Sequence, residues 1–307
     1  MGLYAIARLH NIPSRPRIMT ANLRWQLKKV ARKGMALGAC ATGYILASSM
    51  RIGNPQVRVL TYHRFGTVAR DPFCVAPSDF EAQMAYLADR KLVISLVQFE
   101  DFVAGKGSLP HGSVLITVDD GFRSLYATAL PILRHYDLPA VAFISPSLIG
   151  SRGTTIQGQR AESPEDHLDW DELAALADSK IVIGSHAWTH RSMGRLPSSE
   201  VTEEVTRSRE MLEQKLGKRV GSFAYPFGTR ADFNQTTADI LPRCGYSCAF
   251  TSQHGPVCSG MEPFSLPRIK VEGGEGLWLF RLLVQGGLDG WRWVDKSLWR
   301  IQASGHG

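Results

Sequence analysis

The 307 residues contain no Cys-x-x-Cys, and the five cysteines (Cys40, Cys74, Cys244, Cys248, Cys258) are an odd number that cannot all pair with one another. Cysteine usage therefore decides neither the compartment nor a metal. No apolar run reaches the roughly 20 residues that a spanning helix needs. The uncharged stretch Gly34 to Met50 falls short of it, and the segment before it is long for the n-region of a signal peptide. No run of basic residues interleaved with aromatics occurs in the body of the chain, which argues against a nucleic-acid groove. Internal repeats, low-complexity segments and a glycine-rich dinucleotide fingerprint are missing too, so solenoids and Rossmann sheets are disfavoured.

What is present is an ordinary globular composition with a formal net charge of +7, unevenly spread. Arg8, Arg15, Arg17, Arg24, Lys28, Lys29, Arg32 and Lys33 crowd the first 33 positions. That asymmetry suits peripheral contact with a membrane surface through the N-terminus, and a membrane-associated or cell-envelope location. The region from Gly34 to Met50 reads as an amphipathic helix, packed on the outside of a domain or lying on a bilayer surface. The expected organisation is a basic and apolar extension over 1–52, one catalytic domain over 53–275 and an amphipathic extension over 276–307.

From Val57 onward, short β-branched or aliphatic runs alternate with helical patterns, the signature of parallel β/α units. Strands are expected at Val57 to Thr61, Leu92 to Leu96, Val114 to Val118, Ala140 to Ile144, Ile181 to Gly184, Gly221 to Ala224 and Tyr246 to Phe250. Ser78 with Glu81 three residues on predicts a capping box for a helix through Asp89, and a helix over about Ser199 to Leu216 stops at Gly217. Seven such units predict an α/β fold, a closed or nearly closed barrel with an N-terminal helical extension. The polar stretch Ser147 to Leu168 reads as a lid or rim loop.

Three expected strands end in reactive residues: Tyr62-His63, Asp119-Asp120-Gly121 and Ser185-His186. In a parallel barrel all strand C-termini open on one face, so these residues converge. Two adjacent carboxylates at the end of a buried strand repel and lose hydration unless a cation sits beside them. An isolated Asp-Asp-Gly more often turns the chain and caps a helix. The balance shifts because His186 and His190 stand four apart just past a strand. On a helical turn both imidazoles would face one ion, giving with Asp120 a two-histidine, one-carboxylate set that leaves positions for water and substrate.

These segments resemble the polysaccharide deacetylases of the family-four carbohydrate esterases, which share a domain with nodulation-type chitooligosaccharide deacetylases. The likeness covers about Val57 to Val271. Thr117-Val118-Asp119-Asp120-Gly121 is similar to the family's Thr-Phe-Asp-Asp-Gly, and Ser185-His186-Ala187-Trp188-Thr189-His190 to its Ser-His-Thr-x-x-His, about 65 residues apart. The resemblance implies a (β/α)7-type distorted TIM-like barrel, Asp119 as catalytic base, and one divalent metal ion held by Asp120, His186 and His190. That ion would be zinc first, with cobalt or nickel accommodated. Phe223-Ala224-Tyr225-Pro226-Phe227-Gly228 stands where the family has Arg-x-Pro-Tyr-Gly, with Ala224 in place of the arginine and Phe227 in place of the tyrosine. Together with Tyr62-His63 this variant is similar to the branch acting on poly-N-acetylglucosamine. Arg268, in Leu266-Pro267-Arg268-Ile269, is a candidate to hold Asp119 in the lost arginine's stead.

The implied reaction is removal of N-acetyl groups from an N-acetylated polysaccharide or oligosaccharide. Tyr225, Phe227 and Arg268 are the expected substrate or oxyanion residues, the backbone N–H of Phe227 serving as oxyanion donor. Trp170 and Trp188, with Tyr225 and Phe227, would offer aromatic faces to a sugar ring at the mouth. No Leu-x-x-His follows Phe250, leaving His63 and His254 as candidates for the general acid, with His63 favoured because a strand end holds it. Three other readings stay open: an amidase or imidase of the same fold on a non-sugar substrate, a lapsed enzyme that binds glycan, and an iron oxygenase, whose jelly-roll strands fit the β/α alternation poorly.

Overall fold

The computed structural model describes residues 21–42, 55–68, 71–153 and 165–303. Chain order is α1 (Ala21–Ala41), β1 (Gln56–Tyr62), β2 (Arg64–Phe65), β3 (Cys74–Val75), α2 (Pro77–Asp89), α3 (Leu96–Val103), β4 (Val114–Val118), α4 (Leu130–His135) and β5 (Ala140–Ile144). There follow α5 (Trp170–Ala177), β6 (Ile181–Ser185), α6 (Ser198–Leu216), β7 (Ser222–Ala224), α7 (Gln235–Arg243), β8 (Cys248–His254), β9 (Val257–Cys258), β10 (Leu266–Lys270), α8 (Gly276–Val284) and α9 (Trp291–Ala303).

Seven parallel strands run β1-β4-β5-β6-β7-β8-β10, and β10 pairs with β1 to close them into a barrel. Strand β9 adds antiparallel to β1 at Val57 and lies outside the ring. The β/α alternation thus delivers the expected barrel.

Strand periodicity divides the apolar side chains into two sets. Val57, Val59, Leu115, Val141, Phe143, Phe250 and Leu266 fill the interior, while Leu60, Tyr62, Ile116, Val118, Ile144 and Ile269 pack outward under the helices. Successive residues point to opposite faces, so Thr61, His63, Thr117, Asp119 and Arg268 also turn inward. Phe99 and Phe102 of α3 join the interior set near the strand starts and close that end.

Two expected elements differ. Leu92 to Leu96 is not a strand: only Val93 forms a bridge, to Val114, and Leu96 opens α3. Ser95 accepts from the backbone of Gln98, and Gln98 reciprocates in a capping box, which outweighs the aliphatic run. The helix expected to be capped by Ser78 begins two residues earlier, with Ala76 at the cap position, Pro77 as its first residue and no side-chain capping bond. The α6 helix ends as expected at Gly217, φ 63°. Half of the Ser147 to Leu168 loop, residues 154–164, lies outside the described residues, as do 1–20 and 43–54 of the N-terminal region.

The terminal extensions are parts of the packing. Helix α1 lies on the barrel beside α8, with Lys29, Arg32 and Ala36 buried. Lys29 donates to the Gly273 carbonyl at 2.6 Å, Arg32 Nη2 donates to Glu275 at 3.0 Å and to the Lys270 carbonyl at 3.1 Å, and Lys28 pairs with Glu272. Three of the basic residues suggestive of a membrane surface thus neutralise two buried carboxylates instead. At the opposite end, Arg58 of β1 clasps Asp289, just before α9, through Nε at 3.2 Å and Nη2 at 2.6 Å. No helix among the described residues is long and apolar enough to cross a membrane.

Candidate active site

The strand ends β1, β4, β6 and β10 bring the reactive residues to one mouth. Asp119 and Asp120 follow β4, and the Asp119 amide donates to the Tyr62 carbonyl at 3.0 Å, continuing the ladder by one residue. Asp120 then adopts φ 74° and Gly121 φ 71°, which swings the second carboxylate away from the first. Of the six non-glycine residues with positive φ among the described residues, Asp120, Ala187, His190 and Phe227 all lie in this mouth. Such backbone costs about 1–3 kcal/mol each and persists only where surrounding contacts impose it.

His186 Nε2 and His190 Nε2 stand 3.3 and 3.2 Å from the same oxygen, Oδ1 of Asp120. The imidazoles are brought together by a loop. The segment after β6 is not helical; Ala187 (φ 60°) and His190 (φ 59°) turn it, and Thr189 anchors it by donating its amide and hydroxyl to Glu204 of α6. His186 Nδ1 donates to the Ala224 carbonyl at 2.7 Å, which fixes the ring's orientation and leaves Nε2 as the atom facing Asp120. All three side chains are buried, and their ligand atoms lie within 4.8 Å of one another. Two imidazole nitrogens and a carboxylate oxygen at this spacing fit a divalent cation with open coordination positions. The donor set alone does not select among zinc, cobalt and nickel.

Asp119 is gripped separately. Arg268 Nη1 and Nη2 donate to its two oxygens at 2.7 and 2.6 Å, Nε donates to the Thr251 carbonyl at 2.8 Å, and Nη1 also reaches the Thr117 hydroxyl at 3.3 Å. The arginine missing from position 224 thus has a spatial counterpart arriving from β10. Burial alone would raise the Asp119 pKa, but the facing Arg268 guanidinium outweighs it and holds the carboxyl below the usual range. For Asp120 burial is likewise overcome, by hydrogen bonds from His186 and His190, and its pKa lies well below normal.

The expected general-acid candidates part company. His63 is buried at the mouth, its ring 4.8 Å from Phe73 and within the fields of Asp119 and Asp120, yet burial pushes its pKa down to about 4. His254 is pushed by burial to about 3 and faces Arg32, Lys28 and Glu272, on the α1 side of the molecule. Burial favours the neutral imidazole at both positions.

The aromatic expectations need correction. Tyr225 is fully buried, stacked on Phe233 at 4.7 Å, and its hydroxyl donates to the Phe264 carbonyl at 3.0 Å. It is a packing residue, because strand alternation turns it away from the interior that Ala224 faces. Trp188 carries Arg207 over one face at 4.2 Å and Trp170 carries Lys215 at 5.6 Å, both from α6, so each tryptophan already has a cationic partner. Phe227 does stand at the site, its ring 4.9 Å from that of His190. Gly228 follows at φ 61°, where a Cβ would meet the Ser252 amide nitrogen at 2.5 Å.

Sequence reasoning missed β10 as a strand and with it Lys270, which pairs in register with Thr61 at the mouth. The signal was available: Arg268 and Lys270 stand two apart, the spacing that puts both on one face of a strand. Beside the mouth, Thr229, Ser252, His254, Trp293 and Lys296 line a cleft of about 430 Å³ between the β7 and β8 ends and α9.

Residues 106–249 match the polysaccharide deacetylase family model. Within that class, the chain is 26% identical over 203 residues to the poly-beta-1,6-N-acetyl-D-glucosamine N-deacetylase of Staphylococcus epidermidis, covering 65% of this chain and 68% of that one. The structure of IcaB from Ammonifex degensii superposes with a TM-score of 0.63 at 26% identity over 76% of this chain and 97% of that one. The fold is also that of Streptococcus pyogenes deacetylase PplD in complex with acetate, at a TM-score of 0.64, 21% identity, 76% of this chain and 98% of that one.

Proposed function

We propose that the protein is a metal-dependent hydrolase that removes N-acetyl groups from an N-acetylated polysaccharide or oligosaccharide, a glycan of the poly-N-acetylglucosamine type. The observation that carries this reading is the convergence of Asp120, His186 and His190 beside an Arg268-held Asp119 at the open end of a deacetylase-type barrel. Asp120, His186 and His190 would hold the cation, with zinc the metal we expect. When bound, it supplies Lewis-acid polarisation of the acetyl carbonyl and lowers the pKa of the attacking water.

The chain's own residues do the rest. Asp119, kept ionised by Arg268, accepts the proton of the attacking water. The backbone N–H of Phe227, presented by its left-handed conformation next to Gly228, donates to the developing oxyanion. Phe227 and the cleft lined by Trp293 extend the mouth in the manner expected for a chain of sugar rings.

We place the protein at the cell envelope, in peripheral contact with a membrane. The support is the outer face of α1, where Leu27, Val30 and Leu37 are exposed on the side opposite Lys29, Arg32 and Ala36. Incubating metal-loaded protein with N-acetylglucosamine oligomers and, in parallel, with cyclic ureides tests the substrate class. Acetate release from the oligomers is expected. Turnover of ureides alone would make the protein an amidase of the same fold.

A further inference from the structure

Amide hydrolysis at this site lacks an assigned proton donor. Collapse toward products breaks the bond from the acetyl carbon to the sugar nitrogen, and the nitrogen must gain a proton to leave as an amine. Asp119 takes its proton on the side of the attacking water and is locked between both terminal nitrogens of Arg268. His63 and His254 are the histidines the sequence suggests, but burial holds both in the neutral form.

Lys270 is placed differently. It is the last residue of β10 and pairs with Thr61 of β1, whose other neighbour in register is Thr117, two residues before Asp119. Alternation along β10 turns Leu266 and Arg268 into the interior and Ile269 outward, so Lys270 turns inward with Arg268. Its ammonium lies 4.4 Å from the centre of the Phe73 ring, and that ring packs against His63. Lys270 is half-buried at this C-terminal strand end. Its surroundings are Lys28 and Arg32 of α1, Glu272 just beyond β10, Asp295 of α9, and His63 after β1.

We propose that Lys270 donates the proton to the departing sugar amine, a step that rests on the deacetylase reading above. In that step the carbon–nitrogen bond breaks, its electron pair stays on nitrogen, and a Lys270 Nζ–H proton is transferred to it. Acetic acid and the free amino sugar leave and ionise in solvent to acetate and the ammonium sugar, while Lys270 is left neutral and Asp119 protonated. Proton exchange with solvent then restores both. Burial, reinforced by Lys28, lowers the Lys270 pKa to about 8, so near neutral pH its ammonium is the populated form and a competent acid. The flanking Phe73 face stabilises that ammonium without accepting its proton.

The test compares an amide that needs a protonated leaving group with an ester that does not. Wild-type protein, Lys270→Met and Lys270→Arg, each loaded with zinc, are assayed on an N-acetylglucosamine oligomer and on 4-nitrophenyl acetate. Both variants should lose about 10²–10⁴-fold in kcat on the oligomer, the usual contribution of a general acid, while staying near wild type on the ester and in zinc content. The wild-type oligomer profile should fall on its alkaline side where Lys270 loses its proton, and that limb should vanish in the residual activity of the variants. Equal losses on both substrates in Lys270→Met, or full rescue by Lys270→Arg, would overturn the proposal, because each marks a positioning or purely electrostatic cation. Acetate release by the wild type tests the deacetylase reading separately, since it is measured without any variant.

Discussion

At the residue scale, the mouth divides its two aspartates by their partners. Asp120 faces two imidazoles and Asp119 faces a guanidinium, so one carboxylate is set to hold a cation and the other to stay ionised as a base. We expect His186→Ala, His190→Ala and Asp120→Ala each to lose bound metal together with activity, because one missing ligand of three leaves the ion weakly held. Metal analysis after gel filtration reads this out, and stoichiometric metal in all three variants would contradict it. Asp119→Asn should keep the metal and lose about 10²–10⁴-fold in rate.

Replacing Arg268 acts through the pKa of Asp119. The guanidinium holds that pKa down, so Arg268→Gln should raise it and move the acidic limb of the kcat/KM profile to higher pH. An unmoved limb would show that Asp119 is not the titrating base. Arg268 was legible as a candidate because it stood in a short Leu-Pro-Arg-Ile segment late in the chain. Its strand was not, since proline and two cations at β10 offend every strand preference. Those cations are tolerated because they line the interior of a functional mouth. Tyr225 shows the reverse: a tyrosine beside a motif reads as a binding residue, and only strand alternation reveals that it packs outward.

At the scale of elements, runs of β-branched residues marked six of the seven barrel strands to within a few residues, because buried parallel strands admit little else. The error at Leu92 to Leu96 came from a local competition that an aliphatic run does not display, a serine cap at the right spacing from Gln98. Helix α1 carried the larger surprise. Its lysines and arginine read as a surface patch, yet Glu272 and Glu275 were the unseen partners, more than 240 residues away.

Removing residues 1–52 should therefore destabilise the barrel, because breaking a buried pair costs about 3–5 kcal/mol by leaving a charge unpaired. Adding Glu272→Gln and Glu275→Gln to the truncated protein should recover part of the loss in thermal denaturation. An unchanged Tm on truncation would show that α1 is dispensable. The same cluster predicts acid sensitivity in the full chain. Burial would raise the Glu272 pKa, but Lys28, Arg32 and Lys29 bring it to about 2. Being depressed, it contributes stability in full above the ordinary glutamate pKa near 4.3 and loses it as pH falls toward about 2. The Glu272→Gln variant should show a shallower loss of stability across that window.

On the scale of the whole molecule, the barrel orients its functions by face. Strand C-termini carry the reactive mouth, α3 closes the other end, the Arg58–Asp289 pair ties β1 to the C-terminal helices, and α1 presents Leu27, Val30 and Leu37 outward from the side. Substituting all three by serine should weaken sedimentation with anionic lipid vesicles and leave kcat on soluble oligomers unchanged. Equal vesicle binding would remove the outer face of α1 from the account of location.

The central claim is that this mouth removes acetyl groups from a glycan by way of one cation and one base. It is tested most directly by mass spectrometry of N-acetylglucosamine oligomers incubated with zinc-loaded protein, chelator-treated protein and the zinc-loaded Asp119→Asn variant. The account predicts products lighter by one or more acetyl groups with the first, and unchanged oligomers with the other two over the same time. Deacetylation that persists undiminished after the chelator, or in Asp119→Asn, would contradict it.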